Sequence, residues 1–99
     1  MLNTVALIGR IVKKPILKEL ENGRKVCDLE ISVPRRNEHG RDLVPCVLYQ
    51  GIAENVVKYC ESGDIVGVKG SVHNDDGSIK IIAKEVTFLA TSKKDEENE

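Results

Sequence analysis

Apolar and polar residues fall along this chain in short, β-branched runs, with one stretch where the period changes. Residues 3–14 are apolar on both sides, with Val5, Leu7 and Ile11 on one and Ala6, Ile8 and Val12 on the other. A strand apolar on both faces is covered on both, and in a small chain a second subunit can supply one cover. Pro15 closes this strand, having no amide to donate to a ladder. Residues 16–20 form a short second piece, and Asn22-Gly23 is the strongest hairpin signal in the chain. Residues 25–33 alternate cleanly, Cys27, Leu29, Ile31 and Val33 inward against Val26, Asp28, Glu30 and Ser32 outward, as a half-buried strand does. A polar, turn-rich loop over 34–42 separates it from a third strand over 43–50.

From Ile52 the apolar spacing becomes helical. Ile52, Val56 and Tyr59, flanked by Ala53 and Cys60, share one side, which places Tyr59 in the core; Glu54, Asn55 and Lys58 take the other. Gly63 stands where a helix C′ residue belongs. Strands follow over 65–72 and 79–90, the latter with Phe88 inward, joined by a hairpin loop over 73–78 that turns on Asp76-Gly77. So short a helix is unstable alone in water and must plug something. The pattern therefore predicts an all-β OB fold, a five-stranded Greek-key barrel with one short helix between its third and fourth strands. That domain takes residues 1–90; residues 91–99 are polar and acidic, with nothing apolar to bury, and are expected to form a short disordered tail.

Charge and chemistry narrow the function. A net charge of −1 provides no global basic field, so a polyanionic partner would have to be held by local clusters. Cys27, Cys46 and Cys60 are odd in number and lack a Cys-x-x-Cys pair, which reads as core packing in a reducing cytosol. No apolar run reaches membrane-spanning length and no signal-peptide pattern is present, so neither membrane contact nor export is expected. His39 and His73 have no nucleophile in a recognisable arrangement, and Asp75-Asp76 sits where a turn wants such residues. No phosphate-cradling glycine loop or metal-ligand cluster appears, so no enzyme activity, cofactor or metal is expected.

Asn3-x-Val5-x-Leu7-Ile8-Gly9-Arg10 with Pro15, then Cys46-Val-Leu-Tyr49, Ala53-Glu-Asn-Val-Val57, Glu61-Ser-Gly-Asp-Ile-Val-Gly-Val-Lys-Gly-Ser71 and Ile81-Ile-Ala-Lys-Glu-Val-Thr-Phe-Leu89 run colinearly. In these stretches the chain resembles the bacterial single-stranded DNA-binding (SSB) family and, beside it, the primosomal replication protein PriB. The resemblance implies an OB fold, single-stranded DNA as partner, and a homotetramer or homodimer built through the first strand. It also implies a cytoplasmic, nucleoid-associated bacterial protein that meets replication or recombination proteins. The chain departs from the family in having no tryptophan, in Leu43 where an aromatic is frequent, and in a short hairpin loop over 73–78. The family's acidic tail ending in Asp, Pro and Phe is also not found in 91–99.

Coating a single strand without reading its sequence takes cations along a groove and flat π surfaces between them. The candidate cations are Arg10, Arg35, Arg36, Arg41, Lys69, Lys80 and Lys84, with Lys13 and Lys14 as further surface charges. Arg35, Arg36 and Arg41 share one loop suited to clamping phosphate, while Lys80 and Lys84 lie four apart on one strand and so project to one side. The resemblance places Tyr49 as the stacking aromatic. Asp28 and Glu30 project outward and oppose phosphate on their face unless that face is an interface. Two functions are open at this point. One is sequence-nonspecific coating of single-stranded DNA in replication, recombination or repair; the other is an OB adaptor that mainly contacts replication proteins.

Overall fold

The computed structural model describes residues 1–37 and 39–91. Strand β1 (Val5–Ile11) is followed by a two-residue β2 (Lys18–Glu19), then β3 (Lys25–Pro34), β4 (Arg41–Tyr49), helix α1 (Gln50–Tyr59), β5 (Ile65–Asp75) and β6 (Ser78–Ala90). The sheet runs β1-β5-β6-β4-β3, with β2 on the free edge of β3 and a β1–β3 pairing that closes the ring. All pairings are antiparallel except β4 with β6, where Cys46 faces Ile81 and Val47 faces Ile82. This closed five-stranded barrel with one helix after its third long strand is the OB fold expected from the pattern.

Closure demands two close approaches. At Gly9, a Cβ would come 2.7 Å from the Ser32 carbonyl oxygen, where the end of β1 meets β3. At Gly70, a Cβ would overlap the Ile82 carbonyl oxygen, at a bulge that leaves Lys84 without a partner between the Lys69↔Glu85 and Gly70↔Ala83 pairs. Bulges of this kind bend strands around barrels. Ring closure continues past β1, where the Val12 amide donates to the Glu30 carbonyl at 3.0 Å.

The inward residues are those the alternation marks. Ile11, Cys27, Leu29, Ile31, Cys46, Leu48, Val66, Val68 and Ile81 form the core, and α1 stoppers one end with Ala53, Val56 and Cys60. The helix stripe is rotated from its sequence expectation. It centres on Ala53, Val56 and Cys60, so Tyr59 falls off it and is 65% exposed. Phe88 is likewise not core: it is 46% exposed, beyond Val86, the last β6 residue packed on the core. The helix C-cap is extended Cys60, whose amide bonds Val56 O at 2.9 Å, and Gly63 belongs instead to the next turn with φ 92°. Buried Asp64 organises that turn by accepting the Glu61 amide at 2.8 Å. The predicted hairpin turn at Asp76-Gly77 is present, with φ of 57° and 94°, the two-residue geometry that suits the strand twist. Apart from Thr91, the expected tail lies outside the described residues.

All three cysteines are buried and free. Burial pushes the Cys46 thiol up to about 11 and raises Cys27 and Cys60 as well, Cys60 with help from the Asp64 charge. Thiolate is the reactive form, so native protein at pH 7.5 should react with a disulfide reagent only as fast as it unfolds, while denatured protein reacts at all three sites. Because folding raises these pKa values, the thiols' contribution to stability is complete below the unfolded thiol pKa. It is lost as pH climbs toward 11.

Candidate nucleic-acid interface

The outward faces of β3, β4 and β6, with β2 along one side, form an open groove. One half has a volume of about 520 Å³ and is walled by Lys13, Lys14, Ile16, Lys18, Glu30 and Lys80. The other, about 540 Å³, continues past Leu20, Val26, His73, Asp75 and Ile82 to Tyr49. Lys18, Asp28, Val47 and Lys80 line both halves and make them continuous. Period-two alternation creates this face. The residues that put Cys27, Leu29, Cys46 and Ile81 inward necessarily put Asp28, Val47 and Lys80 outward.

The groove carries cations, carboxylates and apolar wall together. Lys18 lies 3.9 Å from Asp28, and Lys80 lies 3.4 Å from Asp75. Such part-exposed pairs contribute little to stability, so a phosphate can replace either carboxylate at small cost. Among the described residues Lys13 and Lys14 have no ion-pair partner. Tyr49 is half-buried at the end of β4, and the Arg24 guanidinium sits 4.2 Å above its ring centre. Gln50, in the left-handed region at φ 53°, turns the chain abruptly from β4 into α1 just after that ring. Its side-chain oxygen accepts the Lys25 amide at 3.2 Å, tying the β2–β3 turn to the helix start.

The eight residues singled out in sequence do not form one site. Tyr49 and Lys80 share the groove. Lys69 and Lys84 meet elsewhere, in a depression of about 270 Å³ with Thr4 and Glu85. The bulge at Lys84 interrupts the alternation that would have matched it with Lys80. Arg10 is taken up structurally: its Nη1 donates to the Gly63 carbonyl at 2.8 Å and pins the turn after α1 to β1. Arg35, Arg36 and Arg41 lie on the β3–β4 hairpin, at the other end of β4 from Tyr49 and about 27 Å from it by strand rise. There Arg35 pairs with Asp42 at 2.9 Å, and Arg41 donates to the Ser32 hydroxyl and, at 3.0 Å, to its carbonyl. Both acceptors of Arg41 are neutral groups. Lys18 and Arg24 were not among the sequence candidates. The Asn22-Gly23 signal implies that the second piece folds back on β3, but not that this sets Lys18 in the groove wall or Arg24 over Tyr49.

The family model described as the single-strand binding protein family matches residues 2–89. The chain belongs to that family. Single-stranded DNA-binding protein 1 of Clostridium acetobutylicum is 35% identical over 107 residues, covering 93% of this chain and 97% of that protein. Single-stranded DNA-binding protein B of Bacillus subtilis is 34% identical over 103 residues, covering 90% and 91%. Among solved structures, a deletion mutant of the single-stranded DNA binding protein from Thermus aquaticus matches with a TM-score of 0.79 at 25% identity. The match covers 89% of this chain and 41% of that longer one. The SSB resemblance read from the motifs is thus established over the barrel. Among the described residues no helix is long and apolar enough to cross a membrane.

Proposed function

We propose that this protein binds single-stranded DNA without regard to sequence and coats exposed strands during replication, recombination or repair. The observation that carries this is the continuous groove in which Lys13, Lys14, Lys18 and Lys80 line the walls and Tyr49 stands at one end. Lysines neutralise phosphates along the strand, Tyr49 takes a base on its face, and Ile16, Leu20 and Ile82 supply apolar wall. Arg35, Arg36 and Arg41 extend the cationic path along the β3–β4 hairpin, and Lys69 and Lys84 form a second patch that a longer strand reaches. The work is binding, not catalysis, and in a bacterium its place is the cytoplasm, at the nucleoid.

The outer face of β1 supports self-association, as a homodimer or homotetramer. Ile8 there is 62% exposed, and with Ala6, Leu7 and Gly67 it lines a depression of about 330 Å³.

The test is an anisotropy titration of labelled oligo-dT at several salt concentrations. Each phosphate contact adds about 0.7 to the slope of log affinity against log salt. A Lys18→Gln/Lys80→Gln double variant should weaken binding at low salt and flatten the slope by roughly 1.4. Arg35→Gln/Arg36→Gln should matter for a long oligomer and not for a short one that fills only the groove. No binding by wild type at low salt would end the proposal and leave the adaptor function.

A further inference from the structure

The Arg24 guanidinium lies over the Tyr49 ring, 4.2 Å from its centre, which is the place a stacked base would take. The backbone beneath that side chain is fixed. The Arg24 amide donates to the Asn22 side chain at 2.9 Å, and its carbonyl accepts the Leu20 amide at 2.8 Å. The next residue, Lys25, is held to the helix by its amide on Gln50 at 3.2 Å and by its ammonium on Glu54 at 3.2 Å. Arg24 makes no ion pair with a described residue, so no carboxylate draws it off the ring. A planar cation on a rigid turn thus faces a ring on a rigid strand end, at the mouth of the groove.

We propose that Arg24 is a nucleobase-binding residue, the second wall of a slot whose first wall is Tyr49. A base enters when the exposed guanidinium lifts from the ring and settles on the base's outer face. The opening needed is roughly 7 Å, two van der Waals stacking distances, and rotamer change of an exposed side chain reaches it in nanoseconds. Guanidinium planes stack on bases as aromatic rings do. In a chain with Tyr49 as the groove's aromatic, a two-sided slot holds one base more firmly than the ring alone would. This rests on the single-strand reading of the groove.

The experiment compares oligo-dT with an abasic oligomer of equal length, for wild type, Arg24→Lys and Arg24→Ala. Arg24→Lys keeps the charge and loses the plane. It should bind oligo-dT roughly three- to tenfold more weakly while binding the abasic oligomer within about a factor of two of wild type, with an unchanged salt slope. Equal losses on both oligomers with a flatter slope would make Arg24 a phosphate contact and overturn the slot. Tighter oligo-dT binding by Arg24→Ala would make it a lid on Tyr49 and overturn it too, as would no change in either variant. Wild type that binds neither oligomer would instead sink the single-strand reading itself.

Discussion

A Gly70→Val variant is expected to lose at least about 3 kcal/mol of stability and, for a domain of this size, to melt roughly 12–24 °C below wild type. The obstacle is backbone. A Cβ at Gly70 would overlap the Ile82 carbonyl oxygen and come 2.9 Å from its carbon and 3.0 Å from the Ala83 Cα. Flexible side chains could give way, but the β5–β6 ladder cannot without breaking the pairs at the bulge. Gly51 is the internal control. Nothing lies within 4 Å of a Cβ built there, and it sits in the first turn of α1, so Gly51→Ala should be neutral or stabilise by up to about 1 kcal/mol. Thermal melts followed by circular dichroism check both. A Gly70 variant melting with wild type would mean that the β5–β6 bulge yields to a side chain there. Function should follow, because the strand distorted at Ile82 carries Lys80 into the groove.

The barrel was readable because its signals are local and redundant. Alternation in residues 25–33 separates Cys27, Leu29 and Ile31 from Asp28 and Glu30, and the structure keeps that division. Turn chemistry at Asp76-Gly77 was enough to place the last hairpin. The failures came where geometry depends on a residue's partners. The helical stripe puts Tyr59 in the core because it lies about one position wide of the true one, and the terminal turn leaves little room for error. Lys80 and Lys84 look equivalent by counting, yet a bulge set by Gly70 across the ladder parts them. The arginine loop read as a free clamp because sequence does not say that Arg35 meets Asp42 or that Arg41 meets Ser32. Arg24 and Lys18 carry no mark in sequence for the same reason: β2 joins β3 through a local hairpin, but it is the pairing of Val26 with Tyr49 that sets Arg24 beside the ring. Asp28 and Glu30, which the alternation turns outward against phosphate, do both line the groove, Asp28 at 3.9 Å from Lys18.

Tyr49→Ala is expected to be the most damaging single substitution for binding. Base stacking on an aromatic side chain is worth about 1–3 kcal/mol, which corresponds to roughly 5- to 150-fold in affinity. The effect should be near the upper part of that range because neither of the chain's other two Tyr and Phe rings can stand in for Tyr49. Tyr59 is on the exposed end of α1 beside Lys58, and Phe88 is near the end of β6; neither lines the groove. Tyr49→Ala also removes the ring on which Arg24 rests, so Arg24→Lys in that background should add little further loss. Tyr49→Phe keeps the π face and should bind within about a factor of two of wild type, and Tyr59→Ala should be silent. The salt slope provides the second readout: removing a stacking face lowers affinity at every salt concentration equally, whereas removing a lysine flattens the dependence. A Tyr49→Ala protein that melts normally and binds oligo-dT as wild type does would move the stacking site off this groove. A parallel loss in Tyr59→Ala would move it to the helix end, where the bases would run over α1 instead of across β3, β4 and β6.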